Sequence, residues 1–219
     1  QAPGHQEIEM GLCKLYDVTG NNLYLEMARR FLDIRGVSFK LDSNGAGVMS
    51  PEYAQQHKPI LKQEEAVGHA VRAGYMYAGM ADVGALMQDD IYDEVLNKIW
   101  INLTDTKMHI TGGLGAIHGI EGFGKSYDLP NKDAYNETCA AIANVLFNHR
   151  MFLRHKDAKY FDVAEIALLN NSLAGVNLAG DRFFYVNPLE ADGIKLFNHG
   201  NAGRAPWFDC ACCPSNIAR

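Results

Sequence analysis

Apolar residues recur at helical spacing along most of the chain. Ile8, Leu12 and Leu15 share one face of residues 7 to 16, and Leu25, Ala28, Phe31 and Leu32 mark a second segment. The same periodicity predicts helices over residues 64 to 87, 90 to 103, 133 to 154 and 158 to 173. Strand-like runs are few, the best being Arg182 to Val186. Glycine and proline mark loops over 36 to 59, 111 to 131 and 187 to 206. The pattern predicts an all-α chain.

A repeat orders these helices. The segments around Tyr24 (Asn-Leu-Tyr-Leu-Glu-Met-Ala), Tyr92 (Asp-Ile-Tyr-Asp-Glu-Val-Leu) and Tyr160 (Ala-Lys-Tyr-Phe-Asp-Val-Ala) recur at an interval of 68 residues. A further helix precedes each, so the unit is a helical hairpin with a long return loop. Three such hairpins side by side form a solenoid or part of a closed α/α barrel. His69 and Glu137 are equivalent within the repeat, each 23 residues before its tyrosine, and His5 opens the corresponding helix of the first unit. Read singly, each is a cap or a surface residue. Three chemically capable residues at the same end of three successive inner helices point to a site.

Composition narrows the function classes. The chain has 219 residues, 47% of them apolar, with a net charge of −6 and a pI near 5.7. Lys and Arg are scattered, so the basic patch of a nucleic-acid binder is missing. No apolar run reaches the length of a membrane span. The opening Gln-Ala-Pro-Gly-His and the closing Cys-Pro-Ser-Asn-Ile-Ala-Arg read as an internal piece of a longer protein, which leaves the compartment, cytoplasmic or periplasmic, open. Five cysteines is an odd count, and Cys210, Cys212 and Cys213 crowd into four positions. Adjacent cysteines make a poor disulfide and a good source of two thiolates for one metal.

Glu137 and Cys139 offer two more ligands. Thiolates and carboxylates both bind zinc, and four fill a tetrahedral shell. On a continuous helix, residues two apart point to nearly opposite faces, so both reach one ion only if the helix is just beginning there. Pro130, Asn131 and Asp133 favour a start nearby. The alternative is an ordinary core cysteine among alanines.

Gly119 to Ser126 fits the phosphate-loop pattern G-x-x-x-x-G-K-[ST]. That pattern works between a buried strand and a helix; here the lead-in is no core strand and Pro130 interrupts the exit. Glu121 gives the same stretch another reading. It sits among six glycines (112, 113, 115, 119, 122 and 124), beside Phe123 and near His118. An apolar neighbour is expected to raise its pKa toward general-acid duty. Tyr127, Tyr185, Trp207 and Phe208 lie in or beside loops and suit either a carbohydrate cleft or core and rim packing. The Asn-x-Ser/Thr sequences at Asn102, Asn136 and Asn171 fall in predicted helices and are read as chance.

Several of these motifs together resemble the family 127 glycoside hydrolases, the β-L-arabinofuranosidases, and relatives of the same clan. They are Pro-Gly-His5-Gln-Glu-Ile-Glu with Lys-Leu-Tyr-Asp-Val-Thr-Gly, Val-Gly-His69-Ala-Val-Arg-Ala, Gly-Ile-Glu121-Gly-Phe-Gly, Tyr-Asn-Glu137-Thr-Cys139-Ala and Cys-Ala-Cys212-Cys213-Pro-Ser-Asn. The resemblance runs through residues 1–219 and implies an (α/α)6 barrel, of which three hairpins make about half. The rest of the barrel and β-sandwich domains are expected outside this stretch. It implies zinc on Glu137, Cys139, Cys212 and Cys213, Cys212 as nucleophile, Glu121 as acid/base, and contacts from His5, His69 and Tyr185 to the hydroxyls of an arabinofuranoside. Family members also use a histidine upstream of this stretch, and Cys210 acquires no role. Two competing readings stand beside the glycosidase: a helical-repeat protein with a purely structural zinc, and a nucleotide binder through Gly119–Ser126.

Overall fold

The computed structural model describes residues 2–37 and 50–218. Among them, three helical hairpins lie side by side: α1 (Ile8–Thr19) with α2 (Asn22–Ile34), α3 (Ala70–Met87) with α4 (Asp93–Asn102), and α5 (Thr138–His155) with α6 (Ala158–Ala167). A short α7 (Cys212–Ala218) packs back on α5. α3 lies between α1 and α5, and no named strand occurs among the described residues. This is the all-α hairpin arrangement that the repeat predicts. No described helix is long and apolar enough to cross a membrane.

The repeat reappears in the turn chemistry. Gly20, Gln88 and Lys156 each cap the inner helix in the left-handed conformation, with φ of 67°, 54° and 57°. The next residue, Asn21, Asp89 or Asp157, accepts the N–H two positions on, from Leu23, Ile91 or Lys159. One left-handed residue followed by an Asn or Asp cap thus reverses the chain three times. The repeated tyrosines then join neighbouring units. Arg29 of α2 lies over the Tyr92 ring at 5.4 Å, and Trp100 of α4 meets Tyr160 at 5.0 Å.

α3 is apolar nearly all round and is buried from Ala70 to Gly84 apart from Arg72 and Asp82. Small residues let it approach its neighbour: a Cβ on Gly74 would lie 2.7 Å from the Ala143 Cβ of α5. Gly74→Val in the full-length protein is therefore expected to destabilise by about 1–3 kcal/mol through overpacking. An unchanged thermal midpoint would contradict this contact.

Several expected boundaries move. The helix expected from 64 begins at Ala70, because Gly68 is left-handed (φ 72°) with no room for a Cβ beside the Glu52 carbonyl. The helix expected from 133 begins at Thr138, because the N–H groups of Tyr135 and Asn136 bond to Ala116 O and Gly115 O instead. The helix expected over 158 to 173 leaves α geometry after Ala167 for a wider turn over Leu168–Ser172. Arg182 to Val186 is not a strand: only Phe183 makes bridges, to Val176 and Ala205. The expected loops 111 to 131 and 187 to 206 are irregular, and part of the expected loop 36 to 59 lies outside the described residues.

Candidate active site

His69 stands just before α3 as its N-cap, in extended conformation, with Nδ1 facing the Arg72 N–H at 3.4 Å. The segment after Gly68 is stitched to the Glu121 loop. Ala70 N–H donates to Glu121 O at 3.1 Å and Phe123 N–H to Gly68 O at 2.9 Å. Gly122 is required there, since a Cβ would fall 2.0 Å from Gly68 O. Glu121 itself is left-handed (φ 51°), in a tight reversal closed by paired bonds between Ile117 and Gly122. This backbone pairing brings His69 Nε2 within 3.1 Å of Glu121 Oε2.

The phosphate-loop reading of the same stretch loses its support. Residues 119–126 hold turns and an isolated bridge, and the next helix after them begins only at Thr138.

Glu137 is the residue before α5, with extended ψ (134°), whereas Cys139 is the second residue inside it. The helix therefore starts between them, and both side chains reach one point. The Thr138 N–H donates to Tyr185 O at 3.0 Å, which binds the start of α5 to the Tyr185 segment. Cys212 and Cys213 open α7. Cys139 Sγ and Cys213 Sγ lie 3.3 Å apart, Cys212 Sγ and Cys213 Sγ 3.7 Å, and Glu137 Oε1 is 3.4 Å from Cys212 Sγ and 3.5 Å from Cys213 Sγ. One donor atom from each of the four fits within 4.8 Å of the others, as do donors of His69, Glu121 and Glu137.

The electrostatics of this cluster are those of a site short of positive charge. Burial first, then the neighbouring Cys212 and Glu121, pushes the Glu137 carboxyl well above the usual carboxylate range. Burial also raises the Cys213 thiol, and the bond to Cys212 raises Cys139. Cys212 moves the other way, held far down by hydrogen bonds from Cys139 and Cys213 with help from Tyr185. Of the four groups, Cys212 is thus the one whose surroundings favour the anion. Glu137 Oε2 is buried without a hydrogen-bond partner, which a bound cation would satisfy. Three thiols and a carboxylate, arranged this closely, are a donor set that fits zinc.

Glu121 departs from expectation. Its carboxyl is pushed below the usual range, first by the hydrogen bond from His69, against the upward effects of burial and of Cys212. Phe123, offered as the apolar neighbour, instead faces a separate surface hollow.

A cavity of about 500 Å³ joins these groups; His5, His69, Glu121, Tyr185 and Cys212 all line it. His5 stands 6.4 Å from His69, ring to ring. Of Tyr127, Tyr185, Trp207 and Phe208, Tyr185 alone lines the cavity. Phe208 packs behind it at 5.6 Å, and Trp207 and Tyr127 face outward. Cys210 is exposed on the rim, outside the four-residue cluster. Asn136 and Asn171 are buried, and Asn102 accepts from the Ala66 N–H.

Sequence reasoning missed part of the wall. Tyr53 meets the His69 ring edge-on at 5.4 Å, and Arg72 lies over the Tyr53 ring at 5.1 Å and donates to Gly4 O. The signal for Arg72 was present, since it lies three residues after His69 and so on the same helix face. Tyr53, in an irregular segment, gave none.

The whole of residues 1–219 matches the family described as the β-L-arabinofuranosidase, GH127 catalytic domain. The chain belongs to that family. A non-reducing end β-L-arabinofuranosidase from Bifidobacterium longum subsp. longum is 39% identical over the full chain. Two solved structures align over the full chain: a GH127 β-arabinofuranosidase at 52% identity (TM-score 0.90) and a GH127 β-L-arabinofuranosidase from Geobacillus stearothermophilus T6 at 42% (TM-score 0.89). The chain covers 36%, 32% and 36% of these three, so it spans about a third of a full-length relative. Within this GH127 chain, the hairpins are part of an α/α barrel.

Proposed function

We propose that the protein containing this chain is a retaining glycoside hydrolase that releases L-arabinofuranose from the non-reducing end of β-L-arabinofuranosides. Residues 1–219 would supply half of its (α/α)6 barrel. The observation that carries this reading is the opening of Cys212 and the His69–Glu121 pair onto one cavity.

Retaining hydrolysis needs a nucleophile and a second group that is acid in one step and base in the next. The Cys212 sulfur is the candidate nucleophile, since it lines the cavity and its neighbours lower its pKa. It would attack the anomeric carbon as Glu121 protonates the departing oxygen; water deprotonated by Glu121 would then release the sugar from sulfur. Glu121 must hold a proton for the first step, yet in the resting site His69 keeps it ionised. A sugar hydroxyl that takes over the His69 bond removes the chief cause of that depression. Burial and the charge of Cys212 then raise the pKa, opposed by the hydrogen bond from Tyr135. His5 and Tyr185 on the cavity wall suit the other hydroxyls.

Glu137, Cys139, Cys212 and Cys213 would hold zinc. When bound, it supplies the positive charge that keeps these sulfurs ionised at neutral pH. Metal analysis of the full-length protein is expected to give one zinc per chain, and Cys139→Ala to weaken zinc affinity by more than the roughly 10–100-fold that losing an outer partner costs. Zinc bound as tightly in that variant would remove Cys139 from the ligand set. The reaction itself is tested by NMR of the first sugar released from an aryl β-L-arabinofuranoside. The β-anomer is expected first, and the α-anomer first would contradict a retaining mechanism.

A further inference from the structure

Beneath the cavity wall lies a buried set of amides that no step above uses. Gln6, Gln55 and Gln63, with the Arg35 guanidinium beside them, are all within 1% of full burial although they lie far apart in the sequence. Gln55 is at the centre. Its Nε2 donates to Val67 O at 2.8 Å and shares its second proton between Tyr53 O and His69 O, both at 3.2 Å. Its Oε1 accepts from Gln6 Nε2, which also reaches Ala54 O at 2.9 Å. Arg35, from the end of α2, donates to Pro3 O at 2.8 Å and Ala54 O at 2.9 Å. Gln63 Nε2 reaches Gln55 O at 2.9 Å.

Three of the stretches that these bonds connect carry a cavity residue, His5, Tyr53 or His69, and Arg35 and Gln63 brace them from outside the cavity. Gln55 also holds a left-handed backbone (φ 54°), which a side chain with a Cβ adopts at a cost.

We propose that Gln55 is a positioning residue that sets the mutual placement of His5, Tyr53 and His69, and through His69 that of Glu121. The inference rests on the function proposed above, because the placement matters only if those side chains grip a sugar. A shift of about 1 Å in such groups can cost on the order of 100-fold in rate.

The test uses the full-length enzyme and steady-state hydrolysis of p-nitrophenyl β-L-arabinofuranoside. Gln55→Gly removes the amide while relieving the backbone, and Gln55→Glu keeps the shape while turning an acceptor toward three carbonyls. Both are expected to raise KM roughly tenfold and lower kcat/KM by about 100-fold, with zinc content unchanged. Asn148→Ala serves as the control. It removes a buried amide bonded to Trp100 deep along α5, and should lower the melting temperature without moving KM. Gln55 variants that melt earlier but keep the wild-type KM would reduce Gln55 to a packing residue and overturn the proposal. If neither accumulates as folded protein, Gln6→Ala decides by the same split. An inactive wild-type enzyme counts against the function instead. Hydrogen exchange over residues 53–55 and 67–69 then decides the positioning role, and unchanged exchange in the Gln55 variants overturns it.

Discussion

Cys212→Ala in the full-length enzyme is expected to lose at least about 10⁴-fold in kcat, in line with the removal of a nucleophile from a preorganised site. The expectation follows from how unevenly the cluster divides its charge. Burial pushes Cys213 and Glu137 toward their neutral forms, whereas Cys139 and Cys213 both donate toward Cys212. Cys139 and Cys212 both line the cavity, but Cys212 is half-buried where Cys139 and Cys213 are almost fully buried, so its sulfur is the more accessible to a sugar. Steady-state kinetics with an aryl β-L-arabinofuranoside reads the loss. Retention of more than about 1% of wild-type kcat would mean that another group attacks the sugar.

Glu121→Gln should cost about 10²–10⁴-fold, and unevenly among substrates. A good leaving group needs little protonation, so the first step survives with an aryl glycoside and the second becomes limiting. Added azide, which needs no general base, should then restore turnover and give a β-arabinofuranosyl azide. Equal losses for good and poor leaving groups, with no effect of azide, would remove Glu121 from the proton transfers. His69→Ala offers a companion result. Without its hydrogen bond the main cause of the depressed Glu121 pKa is gone, so the carboxyl should titrate higher. The alkaline limb of kcat/KM should move to higher pH, because the first step needs Glu121 protonated and that limb follows loss of its proton in the free enzyme.

The framework of the fold was legible because it is periodic. The tyrosines at 24, 92 and 160 sit on the outer helices, and the interval between them also spaces the left-handed caps at Gly20, Gln88 and Lys156. Gln88 and Lys156 escaped notice as turns because neither is a residue type that marks one. Helix starts were misread where the backbone pairs with distant segments. Tyr135 and Asn136 give their N–H groups to the 115–116 loop, a choice local propensity cannot reveal.

The same division runs through the site. The Glu137–Cys139 pair was readable because its spacing demands a helix start between the two residues, and α5 begins there. The pKa direction of Glu121 was not, since its controlling partner, His69, lies 52 residues earlier and arrives by pairing of the Gly68 and Gly122 segments. Tyr53 and the Gln55 amide network were invisible for a related reason. A polar loop reads as solvated until tertiary contacts bury it.

The central claim is that the Cys212 sulfur attacks the sugar. It is tested most directly by treating the full-length enzyme with a mechanism-based β-L-arabinofuranose reagent and locating the label by peptide mass spectrometry. The account predicts one arabinofuranosyl group per chain, on Cys212, with none on Cys139, Cys210 or Cys213. A label on Glu121, Glu137 or any other residue, in an enzyme that the reagent inactivates, would contradict it.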